Sequence, residues 1–497
     1  MKNYNDYKEH AVKTYDVYMA MSVLGWDQET KMPINGSKFR SQQLSTLAKI
    51  AYESSTNKQY GILLEKLNND NSLNSDEKRN VYLSRKEYLK NNKYSSDFIV
   101  RQSKLISKAF NDWRLAKEKN DFKLFQNSLE KLVELRREEC ELLGYKGHPY
   151  DALLDRYEPN LTTENIDLIF EDVKNKLVPF IKEISKNNHV DDSFFYQFFD
   201  KDKQWDFGIK LLKQMGYDFN SGRQDISAHP FSSHFSPEDA RVTTRIDENN
   251  LSEMIWSCIH EGGHALYEQG ILSENYGTPL GNSVSLGIHE SQSRLWENHV
   301  GRSLEYWQNN YPLLQSLFPD KLKDIDYNKF YEATNNVKPS LIRTNADELT
   351  YHLHVLIRYE IEKGLIEGSI KVIDLPSIWN KKYYDYLGIE VPDDSSGVLQ
   401  DIHWSHGSFG YFPTYTIGSF YAAQFFNKAS TEIENIDEKI LNGDTSELLL
   451  WLRENIHKNG EKYDAKVLCK KITGEELNFK YFMKYVTNKY SKIYNLN

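Results

Sequence analysis

Cysteine is scarce in this chain, which has 497 residues and only 3 cysteines. Cys140, Cys258 and Cys469 stand far apart and show no CxxC spacing. This pattern excludes a disulfide framework and a thiolate metal site. Free thiols fit a reducing compartment, so we expect a cytoplasmic protein.

An excess of positive charge is also missing, because 62 Lys and Arg residues stand against 72 Asp and Glu residues, for a formal net charge of -10. Such a charge opposes the phosphate backbone and leaves no basic stripe for nucleic acid. Residues 1–30 carry polar side chains every few positions, and no later segment approaches a membrane span. We therefore expect neither nucleic acid nor a membrane as a partner.

Apolar residues recur with the spacing of a helix through most of the chain. The clearest examples are Tyr7, Ala11, Tyr15, Tyr18, Met21, Leu349, Leu353, Leu356 and Ile357. Strict alternation is rare, so we predict a mainly α fold with one short sheet near residues 241–249. Residues 227–239 and 391–397 are rich in Pro, Gly, Ser and Asp and are predicted to be loops. The charged stretch 74–93 is typical of a solvated helix.

Two histidines four residues apart form the clearest metal-binding pattern, within SCIHEGGHALYEQG. On a helix, His260 and His264 lie on one face with Cβ atoms roughly 5–6 Å apart, close enough to share one ion. Glu261 follows the first histidine, at the position of a general base in an HExxH helix. The opposite face carries an apolar stripe that we expect to anchor the helix in a core, namely Ile255, Cys258, Ile259, Gly262 and Leu266.

A third ligand is needed, because catalytic zinc usually takes three protein ligands and keeps one position for water. Glu290, in GIHESQSRLWEN, follows His264 by a spacing that suits a second helix packed against the first. We predict that His260, His264 and Glu290 hold one divalent ion per chain. Zinc is the first choice, and a site with two histidines and one glutamate also accepts cobalt or manganese.

Gly262 and Gly263 stand between the two histidines, where a helix is expected. Each glycine costs about 1 kcal/mol of helix propensity relative to alanine, so the pair requires a compensating reason. We predict that Gly262 lets a neighbouring helix pack closely, and that Gly263 leaves room for backbone or substrate near the metal. A merely tolerated pair is the alternative.

Further motifs accompany these residues in a fixed order, and with them the chain resembles the carboxypeptidase Taq family of metallocarboxypeptidases over its whole length. The motifs that carry the resemblance are WDQETKMP, YDALLDRYEPN at 150–160, HPF at 229–231, DARVT at 239–243, HEGGH, HESQ at 289–292, IRTNAD at 342–347, GVLQDIHW at 397–404, FGYFPTY at 409–415 and WLRENIHKNG. Every defining position is retained, and Gly262 occupies a position that the family leaves variable.

The resemblance implies a large helical peptidase with a deep substrate groove, similar to neurolysin and angiotensin-converting enzyme. It implies a homodimer, and peptides with a free C-terminus as partners, from which single C-terminal residues are released with broad specificity and with proline resisted. Because no long linker divides the sequence, we predict one catalytic domain over 1–497. A two-lobed arrangement is the alternative, with helices before about residue 220 forming one groove wall and the metal-binding motifs from about 225 to 420.

The resemblance and the residue chemistry together predict roles for individual side chains. Glu261 takes a proton from the attacking water and returns it to the leaving amine. A second donor is needed for the developing oxyanion, and His403, Tyr411 and Tyr415 are the candidates, unranked.

Recognition of a terminal carboxylate favours a planar guanidinium. Arg343 is the first choice for this role, with Arg241 and His229 as alternatives, and each of them has a structural interpretation as well. Asp239, Asp347 and Asp401 are expected to be structural or to accept a hydrogen bond from a metal-bound histidine, and His289 and Gln292 are further candidates for that surrounding layer.

Two other interpretations compete with a carboxypeptidase. A zinc oligopeptidase that cuts internal bonds shares the HExxH motif and the downstream glutamate. An inert helical protein would use the metal only to join two helices, or would bind peptides without cleaving them.

Overall fold

Helices make up almost all the regular structure in the computed structural model, which describes residues 2–187 and 189–496. The first eleven α-helices are α1 (Lys2–Thr30), α2 (Ser37–Ser55), α3 (Lys58–Asn68), α4 (Ser75–Asn91), α5 (Ser96–Lys119), α6 (Lys123–Leu143), α7 (Asp151–Leu154), α8 (Thr163–Asp172), α9 (Val178–Lys186), α10 (Lys201–Met215) and α11 (Leu251–Glu268). The others are α12 (Leu286–Arg294), α13 (Leu304–Leu317), α14 (Pro319–Leu322), α15 (Tyr327–Thr334), α16 (Tyr351–Glu367), α17 (Leu375–Leu387), α18 (Pro413–Glu432), α19 (Ile436–Leu441), α20 (Ser446–Asn455), α21 (Ala465–Thr473) and α22 (Lys480–Ile493). The predicted mainly α fold is confirmed.

A small sheet interrupts the helices, with β1 (Gln224–Ile226), β2 (Ser232–Ser236) and β3 (Asp239–Thr244) in the order β1-β3-β2. Strand β1 pairs with β3 in parallel, and β2 pairs with β3 antiparallel. The sheet predicted near 241–249 is confirmed in its first part. The loop predicted for 227–239 is wrong over β2, because an edge strand needs backbone pairing on one side only and tolerates the polar sequence SSHFS.

The other local predictions are confirmed. Residues 391–397 contain no helix or strand, and the charged stretch forms α4. Asn74 begins α4 with a capping box, in which its side chain accepts from the Glu77 backbone while Glu77 caps the Asn74 backbone. The three cysteines are buried free thiols. No helix of the part of the chain that the structure describes is both long enough and apolar enough to cross a membrane.

The chain divides into two units, each built from three segments. The first unit takes Met1–Asn92, Asp191–Thr334 and Ala422–Glu476, and the second takes Lys93–Val190, Asn335–Tyr421 and Leu477–Asn497. The sheet, α11 and α12 belong to the first unit, whereas α16 belongs to the second. The prediction of one catalytic domain over 1–497, with two lobes as its alternative, stays a prediction.

Each unit has its own buried helix. In the first unit α11 is anchored by the predicted apolar stripe, since Ile255, Cys258, Ile259, Gly262 and Leu266 are all buried. In the second unit α16 is buried on nearly every side, and the predicted positions Leu353, Leu356 and Ile357 are among its buried residues. A helix that is surrounded in this way is fixed by packing rather than by propensity.

Candidate metal centre and substrate-binding residues

Helix α11 places His260 and His264 one turn apart on the face opposite its apolar stripe. Their ring centroids lie 5.0 Å apart, with the rings at 83° to one another. Each side chain is only partly exposed, 21% for His260 and 13% for His264. Two imidazoles therefore reach the same point from one rigid element.

Helix α12 brings Glu290 to that point. Its Oε2 atom lies 3.3 Å from Nε2 of His264 and 3.7 Å from Nε2 of His260. One ligand atom from each of the three side chains lies within 4.8 Å of the others, which is compatible with a shared ion. The structure thus brings together the three residues that the sequence predicted as ligands.

The paired glycines explain how closely α11 is packed. A Cβ atom on Gly263 would stand 2.7 Å from Cα of Ser293 and 2.8 Å from the carbonyl oxygen of Gln292, both in the backbone of α12. On Gly262 it would stand 2.6 Å from Cδ2 of Leu212, a side chain of α10. Both predictions about these glycines are confirmed, and Gly263 sets the approach of the helix that carries Glu290.

A divalent ion binds neutral imidazole and ionised carboxylate, and electrostatics favour these states at His264 and Glu290, whereas at His260 they favour the protonated ring that an ion would have to displace. Burial, together with His289, lowers the pKa of His264 to about 3. Burial opposes ionisation of Glu290, yet the charges of Arg294 and His260 hold its pKa well below the usual range. Burial is likewise outweighed at His260, whose pKa is raised by Glu290 and by a hydrogen bond to Glu297.

Glu261 lies beside the three ligands, close enough to feel the charges of His260 and Glu290. Its side chain is buried and takes part in a hydrogen bond with the Ser232 side chain on β2. Burial raises the pKa of Glu261 to about 7, while the neighbouring His260 opposes the shift. A carboxyl group with such a pKa can both accept and release a proton near neutral pH.

The sequence did not predict the charged residues that surround the ligands. Nδ1 of His260 lies 2.9 Å from Oε2 of Glu297, which also pairs with Arg294 and Arg302. Nε of Arg294 donates to Oε1 of Glu290 at 2.7 Å. The spacing of positions 290, 294 and 297, all on one helix face, is a signal that could have identified them.

The side chains that the sequence proposed for this surrounding layer have other partners. Asp239 binds Arg241, Asp347 accepts from the Thr350 amide in the turn before α16, and Asp401 binds Arg343. The remaining two are His289, whose Nε2 lies 2.8 Å from Oε1 of Glu268, and Gln292, whose Oε1 lies 3.0 Å from Nε2 of His457. The ring of His289 also stacks on that of His264, with centroids 4.4 Å apart.

In the second unit the structure groups four of the predicted substrate-binding residues. Nε and Nη2 of Arg343 donate to Oδ1 of Asp401 at 3.1 and 2.9 Å, and Nη1 donates to the Tyr351 hydroxyl at 2.9 Å. The Arg343 guanidinium lies 5.2 Å from the ring centroid of Tyr415. Arg343 is therefore buried and already paired with a carboxylate.

His403 completes this group together with the two tyrosines. Its Nε2 lies 3.4 Å from the Tyr415 hydroxyl, and its ring centroid lies 5.5 Å from that of Tyr411. Burial lowers the pKa of His403 to about 3, although Asp401 opposes the shift. His403 is thus a neutral imidazole at pH 7. It can donate or accept a hydrogen bond but does not supply a positive charge.

The two alternatives for carboxylate recognition lie in the first unit. Arg241 donates from Nε and Nη2 to Asp239 at 2.7 and 2.8 Å and packs on the rings of Trp26 and Phe235. His229 is exposed, and its carbonyl oxygen accepts from the Ser227 hydroxyl at 2.6 Å. Arg241 has the surroundings of a structural ion pair.

The segment that carries His403 and Tyr411 is held by two buried polar side chains, Glu362 and Arg136. Glu362 on α16 accepts hydrogen bonds from Nε1 of Trp404 at 2.8 Å, the Gly410 amide at 2.9 Å and the Tyr150 hydroxyl at 2.6 Å. Arg136 on α6 donates from Nε to the carbonyl oxygen of Gly407 at 2.9 Å. These contacts fix the segment from both sides of His406.

Comparisons with known proteins agree with this arrangement. The model of the carboxypeptidase Taq (M32) metallopeptidase family matches residues 6–490. Carboxypeptidase 1 of Bacillus subtilis is 41% identical over 96% of this chain and 95% of its own length. Thermostable carboxypeptidase 1 of Thermus thermophilus is 38% identical, with 95% of each chain covered. The crystal structure of the M32 carboxypeptidase from Deinococcus radiodurans superposes with a TM-score of 0.98 at 34% identity, covering 100% of both chains.

Proposed function

This chain belongs to the carboxypeptidase Taq (M32) family of metallopeptidases and is a metallocarboxypeptidase, and from that premise we propose that it uses zinc to release single C-terminal residues from peptides with broad specificity. The family implies a divalent metal and peptide substrates. The observation that carries the proposal is the convergence of three ligand atoms beside a buried glutamate whose pKa lies near neutrality.

The donor set fits a divalent ion. His260 and His264 offer Nε2, and Glu290 offers the one oxygen that faces both rings. Two neutral imidazoles and a carboxylate are ligands that zinc prefers and that cobalt or manganese also accept. When bound, such an ion polarises the substrate carbonyl and acidifies water.

Glu261 performs the proton transfers of the reaction. It accepts a proton from the attacking water and donates it to the amine that leaves when the peptide bond breaks. Its hydrogen bond with Ser232 and its burial on α11 restrict the movement of the carboxyl group. We expect Glu261→Gln to lower the hydrolysis rate by about 10²- to 10⁴-fold while the metal content of the protein is unchanged.

Substrate positioning is assigned to the group in the second unit. His403, Tyr411 and Tyr415 supply neutral donors, which can stabilise a developing oxyanion without a competing charge. Arg343 remains the first choice for the terminal carboxylate because it lies in the same group. Arg241 and His229 remain the alternatives.

The proposal is tested with two matched peptides that differ only in having a free or an amidated C-terminus. Mass spectrometry should show the free peptide shortened one residue at a time, and the amidated peptide left intact. A chelator should stop the trimming, and added zinc should restore it. Cleavage of the amidated peptide at internal bonds would instead assign an oligopeptidase, and no cleavage of either by the zinc-loaded protein would assign an inert binder.

Three finer properties complete the proposal. Broad specificity with resistance to C-terminal proline is tested by a peptide series that varies the last residue. A homodimer is tested by sedimentation. A cytoplasmic location is supported by three buried free thiols, which suit a reducing compartment, and is tested by cell fractionation.

A further inference from the structure

Three charged side chains follow one another along the helix that carries Glu290. At 100° per residue, positions 290 and 294 lie about 40° apart on the helix surface, and Glu297 lies on the same side because it contacts Arg294 and His260. Glu290 and Arg294 belong to α12, and Glu297 lies in the π-helical segment Leu295–Gly301 that continues it. This side of the helix therefore presents a carboxylate, a guanidinium and a second carboxylate, in that order, towards α11.

We propose that Glu297 and Arg294 are positioning residues of the metal centre. Glu297 fixes the ring of His260 so that Nε2 is directed at the ion, and Arg294 restricts Glu290 to a single ligand oxygen. This inference rests on the proposed metal site at His260, His264 and Glu290.

The role of Glu297 follows from hydrogen-bond chemistry. A carboxylate that is flanked by two guanidinium groups is ionised and can only accept. Because its Oε2 lies 2.9 Å from Nδ1 of His260, the neutral imidazole that binds an ion keeps its one proton on Nδ1. The lone pair of His260 is therefore on Nε2, the atom that faces Glu290, and the second ring nitrogen is held in the way that orients metal-bound histidines.

The role of Arg294 follows from the two oxygens of Glu290. Oε1 accepts from Nε of Arg294 at 2.7 Å. Oε2 lies 3.1 Å from the Ser293 hydroxyl, 3.3 Å from Nε2 of His264 and 3.7 Å from Nε2 of His260. Only Oε2 is thus directed at both imidazoles, which makes Glu290 a ligand through one oxygen.

Two features hold this pair of residues against α11. Nη2 of Arg302 donates to Oε1 of Glu297 at 3.0 Å, and its guanidinium lies 3.7 Å from the ring centroid of Trp256, one turn before His260. A Cβ atom on Gly301 would stand 2.9 Å from Cδ1 of Ile259, so the end of the π-helical segment packs closely on α11. Arg302 thus joins Trp256 on α11 to Glu297, and Glu297 in turn contacts His260 on the same helix. We call the contact of Arg302 with Glu297 the brace.

The test measures zinc affinity by competition with a chelator, on the full chain, for wild type, Glu297→Gln and Asp225→Asn. Asp225 is a matched control, because it is a buried carboxylate of the same unit that pairs with Lys31 and Arg223. Loss of a group that orients a ligand typically weakens metal binding about 10- to 100-fold. We expect that change for Glu297→Gln and an affinity within about threefold of wild type for Asp225→Asn.

Equal weakening of both variants, or a folded Glu297→Gln protein with wild-type affinity, would overturn the inference. If Glu297→Gln does not fold by circular dichroism, Arg302→Gln removes the brace alone and carries the same expectation. The visible spectrum of bound cobalt tests Arg294→Gln, where a second carboxylate oxygen should raise the coordination number and lower the absorption, and an unchanged spectrum contradicts the role of Arg294. His260→Ala distinguishes a failure of this inference from a failure of the proposed metal site. If zinc affinity is unchanged in His260→Ala, the metal site itself is wrong.

Discussion

The close approach of α11 and α12 at Gly263 makes a sharp test of how the metal centre is built. In Gly263→Ala the new Cβ atom would lie 2.7 Å from Cα of Ser293. Carbon atoms pack at about 3.5 Å or more, so α12 has to move away by about 0.8 Å. The atoms it meets belong to the backbone, and no side-chain rotation can relieve the contact.

The consequence for stability is modest, whereas the consequence for the site is large. Overpacking costs about 1–3 kcal/mol, and alanine recovers about 1 kcal/mol of helix propensity, so the variant should still fold. Metal-ligand distances, however, tolerate changes of only about 0.2 Å. Because Glu290 moves with α12, we expect zinc binding to weaken about 10- to 100-fold, which corresponds to roughly 1.4–2.8 kcal/mol.

Gly262→Ala is the matched control, since the same substitution one residue earlier meets the flexible ends of Leu212 and Met215. Its zinc affinity, measured by chelator competition, should stay within about threefold of wild type because α12 is not displaced. Thermal unfolding without metal reports whether both variants fold. A folded Gly263→Ala protein that binds zinc like wild type would refute the argument that this glycine sets the separation of the ligands.

Three further predictions concern other parts of the molecule. Burial raises the pKa of Glu362 to about 7 from an ordinary 4.5, so the folded state binds a proton more tightly than the unfolded chain. The contribution of this proton to the free energy of unfolding is present below pH 4.5 and is lost as the pH rises through 7. The free energy of unfolding of Glu362→Gln, relative to that of wild type, should therefore increase by about 3 kcal/mol between these two pH values. If the free energies of the two proteins changed in parallel with pH, this prediction would be contradicted. Arg343→Ala should reduce the preference for free over amidated peptides, whereas Arg241→Ala should retain it; the opposite result would exchange their roles. Asn74→Ala should lower the free energy of unfolding by about 1 kcal/mol through loss of the α4 cap without altering zinc affinity, and no measurable loss would mean that the cap is not needed.

The parts of the metal centre that the sequence predicted are those set by helix geometry and ligand chemistry. Spacing within α11 fixes His260 and His264 on one face, and the need for a third ligand selects Glu290 from a nearby helix. The glycines were equally informative, because a helix position that has no room for a Cβ atom indicates that another element packs closely there. In each case a local pattern carried information about a contact elsewhere in the chain.

The partners of these residues were harder to predict from the sequence, because pairing depends on how whole helices are oriented. His260 and Glu297 are 37 positions apart, and Arg343 and Asp401 are 58 apart. Many acidic residues stand at comparable distances, so composition alone cannot choose among them. Strand β2 was missed for a related reason, since its polar residues reveal nothing of the backbone pairing that β3 provides.

Buried charge explains why the missed residues occur where they do. An isolated ionised carboxylate in a protein interior is strongly unfavourable unless it is paired and hydrogen-bonded. Glu290 and Glu297 are both less than one tenth exposed, and each is bound by a guanidinium. Arg294 contacts both carboxylates, and Arg302 contacts Glu297 alone. A carboxylate ligand placed inside a helical core therefore requires a cation beside it, and the residue one turn along the same helix is where such a cation can be supplied.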